Sequence, residues 1–217
     1  MKHSIKTTNE KNLNLPNKIL FCDFNGVISY DRFWHTLQNP THELNKFYEP
    51  IRNVYLNPDL DIAKRWMLGE LTTEQVHTIL CQSTGAPYEE IIKIFENECR
   101  NIDISTKICN KILELQSKYY CILSTGNMDS LDRFTIPSNP ILNESFNRID
   151  NSFNIKSFKT TNKGQYFTDA ASNLNIAIEN CIVIDDGKKI CDTFSALGGK
   201  SFLVTGEELV MEVLNNL

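Results

Sequence analysis

The chain has 217 residues, enough for one large hydrophobic core or for a core with a small satellite domain. Its residues are 41% hydrophobic and 23% charged, the proportions of an ordinary soluble globular protein. The net charge of −5, with no cluster of Lys or Arg, argues against nucleic acid or an anionic membrane surface as the main partner. The net charge does not exclude a small anionic substrate, because one metal ion and one lysine can reverse the sign of the local potential.

The cysteines and the N-terminal residues indicate a cytoplasmic protein. The seven cysteines are odd in number, form no C-x-x-C pair and lie mostly in apolar runs, as buried thiols do in a reducing compartment. Residues 1–17 are polar and lack the apolar stretch of a secretory signal, so they are predicted to be a flexible lead-in. No apolar run reaches the length of a transmembrane helix.

Short apolar runs alternate with helical patterns along most of the chain. Runs of this kind are typical of strands buried on both faces of a parallel sheet. Four are present, at 19–22, 120–123, 181–184 and 201–204. Apolar residues recur at helical spacing in the segments 104–117, 163–174, 188–197 and 209–217. The alternation predicts an α/β fold, a parallel sheet flanked by helices.

Residues 31–103, between the first two strands, are too many for a single crossover and have an all-helical pattern. Leu44, Phe47, Tyr48 and Ile51 share one helical face, and so do Tyr88, Ile91, Ile92 and Phe95. Thr72 and Gln75 have the spacing of a capping box. We predict a helical cap domain over 31–103, packed over a core that holds the sheet and is made of residues 18–30 and 104–217.

Polar residues stand where the predicted strands end. Asp23 follows the first strand, Ser124 the second, and Asp185 and Asp186 the third. Ligands of open α/β sheets bind outside the carboxyl ends of the strands, so these side chains are expected in one crevice. Crowded carboxylates resist ionisation unless a cation compensates them, and oxygen ligands favour a hard ion such as Mg²⁺.

These segments resemble the motifs of the haloacid dehalogenase-like (HAD) superfamily. Asp23-Phe24-Asn25-Gly26-Val27 resembles its first motif, D-x-D-G-T/V. Ser124 resembles the second motif, and Asp185-Asp186-Gly187 the fourth. The match covers almost the whole chain in order, including an insert after the first motif. It implies a Rossmann-like core with a cap, and a magnesium-dependent phosphohydrolase acting on a small phosphorylated metabolite.

The resemblance also implies roles for individual residues. Asp23 would be the nucleophile that forms an aspartyl-phosphate, and also a metal ligand. Asp186 would bind the metal directly, Asp185 directly or through water, and Asn25 through its backbone carbonyl. Gly26 would let backbone N–H groups approach the phosphate. These residues would form the metal and phosphate site.

Two of the implied roles have more than one candidate. The hydroxyl that donates to a phosphoryl oxygen is assigned to Ser124, with Thr125 as the alternative because the register is ambiguous by one residue. The lysine of the third motif would offset negative charge at the nucleophile. Lys163, which precedes a glycine and opens a helical pattern, is preferred over Lys159 and Lys156.

Asn25 departs from the family pattern, because family phosphatases carry there an Asp that exchanges a proton with the leaving group and water. Asparagine cannot exchange a proton. The substrate then has a good leaving group, or His35 supplies the proton, or the residue is a substitution of an original Asp that slows turnover. A phosphotransferase, a hydrolase of C–X or C–P bonds and a catalytically weakened phosphate-binding or regulatory protein are the alternative functions.

Residues 31–35 follow the first motif and are predicted to line the crevice mouth, where they would set specificity. Arg32 would hold a second anionic group or remain solvated. Trp34 would stack on a substrate ring or anchor the linker. Trp66 is predicted to lie in the core of the cap. The oligomeric state cannot be predicted from the sequence.

Overall fold

The computed structural model describes residues 16–217, so nearly all of the predicted lead-in lies outside the described residues. Within this range the chain forms a parallel sheet covered by helices and a helical segment inserted after the first strand. No helix of the described part is both long enough and apolar enough to cross a membrane. The predicted α/β class is confirmed.

Five parallel strands form the sheet in the order β3-β2-β1-β4-β5. Their bounds are Ile19–Cys22 (β1), Tyr120–Thr125 (β2), Arg148–Asn151 (β3), Cys181–Asp185 (β4) and Lys200–Leu203 (β5). The sequence predicted four of them. The edge strand β3 was missed because its sequence, Arg-Ile-Asp-Asn, is not a continuous apolar run. Its two charged residues, Arg148 and Asp150, form an ion pair with each other.

Helices cover both faces of the sheet. Those outside the insert are α5 (Thr106–Leu115), α6 (Ile136–Ser138), α7 (Ile141–Ser145), α8 (Ser152–Ile155), α9 (Gln165–Asn173), α10 (Lys188–Ala196) and α11 (Glu207–Asn215). A π-helical turn, Leu131–Thr135, precedes α6. Leu20 and Cys22 face the side of α5 and α11, whereas Ile19 and Phe21 face α9 and α10. Alternate residues of β1 therefore feed two separate hydrophobic clusters, as the period of two in a strand requires. All seven cysteines are buried, as predicted.

The segment between β1 and β2 is helical, as predicted. Its helices are α1 (Tyr48–Tyr55), α2 (Ile62–Met67), α3 (Thr73–Thr84) and α4 (Tyr88–Arg100), with short 3-10 turns at His35–Gln38 and Asn45–Phe47. The predicted capping box is present at the start of α3: the Thr72 hydroxyl accepts from the Gln75 N–H, and the Gln75 side chain accepts from the Thr72 N–H. We call residues 31–103 the helical insert.

The helical insert has its own hydrophobic cluster, centred on Trp34, Trp66 and Phe95. Trp66 is fully buried there, in agreement with its predicted place in the core of the insert. Met128 and Phe134, which follow β2, belong to the same cluster. The hydrophobic packing therefore crosses the predicted boundary at residue 103, and the division into two domains stays a prediction.

Candidate active site

The order of the strands brings three of the predicted site residues together. β1 lies between β2 and β4, and Cys22 is in register with Leu123 on one side and Ile184 on the other. The next residues, Asp23, Ser124 and Asp185, consequently lie side by side at the carboxyl edge of the sheet. The Asp23 N–H donates to the Ile184 carbonyl at 3.0 Å and extends the pairing to this edge.

Asp23, Asp185 and Asp186 form a compact carboxylate cluster in which one oxygen of each lies within 4.8 Å of the others. Burial, and then the charge of Asp23, raises the pKa of Asp185 to about 6. The same causes raise the pKa of Asp186. Because three carboxylates at this separation repel one another and consist of hard oxygen donors, the arrangement fits a divalent cation such as Mg²⁺.

Lys159 is the cation that the chain itself provides at this cluster. Its ammonium Nζ lies 2.9 Å from Asp23 Oδ2 and 2.5 Å from Asp185 Oδ2. It also donates to the Ser124 carbonyl at 3.1 Å. Burial opposes protonation, but the charges of Asp23 and Asp185 outweigh it and raise the pKa of Lys159 above its ordinary value. The lysine therefore remains charged between the two aspartates.

The preference for Lys163 is contradicted by the structure. Lys163 is exposed and makes no ion pair with any residue of 16–217, whereas Lys159 is 7% exposed. Lys163 ends a short 3-10 turn, Thr161–Lys163, immediately before α9. A helix N-terminus carries partial positive charge, so a cation there is better placed in solvent. The lysine four residues earlier reaches the sheet edge instead. Lys156, the third candidate, donates to the Gly69 carbonyl of the helical insert.

The loop after β1 places Asn25 and Gly26 beside residues 185–187, the segment that resembles the fourth motif. The Gly26 N–H donates to the Ser29 carbonyl at 2.8 Å, and Gly26 has a φ of +75°. A Cβ at this position would collide with the Asp186 carboxylate. Glycine is therefore required both by the backbone conformation and by the close approach of Asp186. The exposed Asn25 side chain lies at the same opening.

Both candidate hydroxyls are buried and lack a hydrogen-bond partner among the described residues. Ser124 is the lateral neighbour of Asp23, whereas Thr125 is in register with Asn151 on the far side of β2. A buried hydroxyl without a partner is uncommon in folded proteins. Of the two hydroxyl residues, only Ser124 is the lateral neighbour of Asp23, so it is the better placed to contact a group bound there.

Two connected cavities open onto the carboxylate cluster. The smaller, of about 300 Å³, is lined by Asp23, Lys159 and Asp186. The larger, of about 600 Å³, lies under the helical insert and contains Arg32 and Trp34 in its wall. Four residues line both cavities: Asn25, Met67, Gly126 and Asp186. A substrate could therefore place a phosphoryl group in the smaller cavity and the remainder in the larger one.

The predicted mouth residues have different positions. Arg32 is exposed and lines the larger cavity. Trp34 also lines it but is only 3% exposed, and its indole N–H donates to His77 Nε2 at 3.3 Å. Trp34 therefore anchors the start of the insert. His35 lines neither cavity; its ring lies 3.6 Å from Glu98 Oε1. The structure thus contradicts the placement of His35 in the site, because its side chain faces α4.

Sequence reasoning missed a buried carboxylate, Asp129, that ties the two parts of the chain together. It accepts from the Trp66 indole at 2.6 Å and from the Thr73 hydroxyl at 2.8 Å. It also accepts from the Thr73 N–H, in the first turn of α3, and from Arg133. The signal was available, since Asp129 follows β2 in a polar stretch, but its partners Trp66 and Thr73 lie more than 55 residues away in sequence.

The α/β fold with a helical insert after β1 is shared with solved structures of HAD family proteins. No protein-family model matches the chain, and no curated protein matches it. Solved structures do match. BT-2542, a HAD family enzyme of Bacteroides thetaiotaomicron solved with magnesium and inorganic phosphate, has a TM-score of 0.68 at 19% identity; the match covers 88% of this chain and 96% of that one.

Two further structures agree with this assignment of the fold. A predicted HAD-like family hydrolase from Porphyromonas gingivalis has a TM-score of 0.65 at 18% identity, covering 92% of this chain and 97% of that one. The L-2-haloacid dehalogenase of Xanthobacter autotrophicus, solved with chloropropionic acid covalently bound, has a TM-score of 0.57 at 12% identity, covering 92% and 82%. The chain has the fold shared by these proteins.

Proposed function

We propose that the protein is a magnesium-dependent hydrolase of a small phosphorylated metabolite, and that Asp23 is its nucleophile. The observation that carries the proposal is the position of Asp23. Its carboxylate lies at the carboxyl end of the central strand, 2.9 Å from the ammonium of Lys159 and within 4.8 Å of Asp185 and Asp186. A nucleophile that attacks an anionic phosphoryl group needs positive charge beside it.

The proposed reaction has two steps on Asp23. In the first, one oxygen of Asp23 forms a bond to phosphorus while the bond from phosphorus to the leaving oxygen breaks. In the second, water attacks phosphorus, the bond to Asp23 breaks, and the carboxylate and inorganic phosphate are released. Lys159 holds the Asp23 carboxylate in place, and the Ser124 hydroxyl is available to donate to a phosphoryl oxygen.

Asp23, Asp185, Asp186 and the Asn25 carbonyl would hold the metal. A bound Mg²⁺ would offset the repulsion between these carboxylates and the phosphate. In the chain alone, burial and then the charge of Asp23 raise the pKa of Asp185 to about 6. A halide displacement would not require a cation at this point, so the crowded carboxylates favour phosphoryl chemistry over C–X cleavage.

Asn25 restricts the substrates that the proposed enzyme can turn over. It stands at the opening of the smaller cavity and has no proton to exchange, and no histidine of the described chain lines either cavity. General acid–base help typically contributes about 10²–10⁴-fold. We therefore propose substrates whose leaving group departs without a proton, such as an acyl phosphate or a sugar 1-phosphate.

The test is hydrolysis of p-nitrophenyl phosphate and acetyl phosphate, with Mg²⁺ and with a chelator, by the wild type and by Asp23→Asn. We expect Mg²⁺-dependent release of phosphate by the wild type and none by the variant, whose fold is checked by circular dichroism. Turnover by Asp23→Asn at more than a few per cent of the wild-type rate would exclude Asp23 as nucleophile. No turnover of either substrate by the wild type would favour a phosphate-binding or regulatory protein.

A further inference from the structure

The larger cavity extends away from the carboxylate cluster to an outer end that carries two arginines and one glutamate, Glu49. Arg32, Tyr48 and Arg52 line this cavity and also line a third, outer cavity of about 500 Å³. The three cavities therefore follow one another from the carboxylates outward. Two guanidinium groups stand at the junction of the second and the third, in a chain whose net charge is −5.

Neither arginine is neutralised by a strong ion pair. Arg32 makes no ion pair with any residue of 16–217. Arg52 lies 3.6 Å from Glu49, but both side chains are about half exposed, so this contact contributes little. The Tyr48 hydroxyl accepts from Gln38 at 2.7 Å, which leaves its own proton free to donate. Three donors are thus available at one end of the cavity.

The wall between the carboxylates and the arginines is largely hydrophobic. Phe24, Phe33 and Tyr55 contribute to it. Two of the six large hydrophobic side chains that are exposed in the described chain, Tyr30 and Leu56, also lie there, with 47% and 54% of their surface accessible. Exposed apolar side chains that line a cleft are typical of a surface that a ligand covers.

We infer that the substrate is a phosphorylated molecule with an apolar or aromatic body and a second anionic group, which Arg32 and Arg52 bind with help from Tyr48. The inference rests on the proposed function, because the first anionic group is the phosphoryl group at Asp23. A planar guanidinium pair is suited to a carboxylate or a phosphate, both of which accept two parallel hydrogen bonds. Binding of the second anionic group selects the substrate through a contact that lies away from the reacting phosphoryl group.

Binding of non-hydrolysable phosphonates separates this inference from the proposed function. The probes are benzylphosphonate and a series that carries, at the para position, a carboxylate on zero to three methylene groups, each with its neutral carboxamide as the matched ligand. Dissociation constants are measured by calorimetry with Mg²⁺. We expect the carboxylate to bind about tenfold more tightly than the amide at one chain length, the increment typical of one charge-assisted contact.

Arg32→Gln and Arg52→Gln are each expected to abolish that gain, so that the carboxylate and its amide bind with equal affinity. Arg65→Gln is the control, since Arg65 is a partly exposed arginine of the insert that pairs with Glu70 and lines none of these three cavities. A second phosphonate in place of the carboxylate identifies the preferred oxyanion.

Equal affinity for acid and amide along the whole series, with benzylphosphonate still bound, would overturn the second subsite alone. A gain that survives in either arginine variant would overturn the two-arginine assignment. Wild-type protein that binds none of the phosphonates would overturn the proposed function and this inference with it.

Discussion

Lys159 lies between two aspartates at the centre of the site, and its removal provides a direct test of the site geometry. We expect Lys159→Gln to lower kcat by about 10²–10³-fold, because the positive charge beside the attacked phosphoryl group is lost. Lys163→Gln is the matched control and is expected to stay within twofold of the wild type, since Lys163 is exposed. The measurement is steady-state turnover of p-nitrophenyl phosphate. If Lys163→Gln lowered kcat and Lys159→Gln did not, Lys163 rather than Lys159 would be the catalytic lysine.

The proposed role of Asn25 predicts that turnover depends strongly on the leaving group. We expect Asn25→Asp to raise turnover of an alkyl phosphate about 10-fold or more and to change p-nitrophenyl phosphate little. An alkoxide needs a proton in the transition state, whereas p-nitrophenolate leaves unaided. The comparison is kcat/KM for both substrates in both proteins, with breakdown of the aspartyl-phosphate measured separately. Equal gains on both substrates would instead mean that the missing base limits turnover.

The residues of the site differ in how far the sequence could predict them. Asp23, Ser124, Asp185 and Asp186 were predictable, because each follows an apolar strand and parallel strands end at one edge. Lys159 was left as an alternative, because its position depends on the path of the chain between β3 and α9. Positive φ values at Lys156, Asn162 and Lys163 give that path its turns. Such turns leave little periodic pattern in a sequence.

At the scale of the elements, α3 carries a buried histidine that makes the stability of the helical insert depend on pH. His77 Nδ1 lies 2.8 Å from the Thr73 carbonyl, so this nitrogen carries the proton and Nε2 accepts from Trp34. Burial lowers the pKa of His77 to about 4, despite the opposing charges of Glu74 and Asp129. Protonation would remove the acceptor of the Trp34 indole.

On acidification, the folded protein therefore binds this proton at a lower pH than the unfolded chain does. The stability contributed by neutral His77 is complete above the ordinary histidine pKa and is lost as the pH falls from about 6.5 to about 4. The loss is on the order of 3 kcal/mol over this window. Urea unfolding at several pH values should show this loss for the wild type but not for His77→Gln. Parallel pH profiles of the two proteins would contradict the assignment.

The elements themselves were predictable where hydrophobic periodicity controls them. The helices of the insert and the four apolar strands were predicted, because each buries a regular pattern of side chains. The edge strand β3 and the π-helical turn at Leu131–Thr135 were not. Both depend on partners that are distant in sequence: β3 pairs with β2, and the Thr135 hydroxyl donates to the Cys99 carbonyl at 2.9 Å.

At the scale of the whole molecule, the proposed cation site predicts that the ion stabilises the folded chain. We expect saturating Mg²⁺ to raise the melting temperature by about 5–10 °C, because an ion at 100 times its Kd adds about 2.7 kcal/mol to the folded state of a chain of this size. Asp186→Asn is expected to lose most of this shift, since Asp186 is one of the three clustered carboxylates. Differential scanning calorimetry with Mg²⁺ and with a chelator measures it. An unchanged shift in the variant would place the ion elsewhere.

The hydrogen bonds to Asp129 determine how this protein can be recombined with others of its fold. An exchange of residues 31–103 alone would leave the Asp129 carboxylate buried without Trp66 and Thr73. It would also remove the apolar neighbours of Met128 and Phe134. For a chimera to fold, the segment that follows β2 therefore has to be transferred together with the insert. The unit of exchange in such a chimera is discontinuous in sequence: residues 31–103 together with residues 127–135.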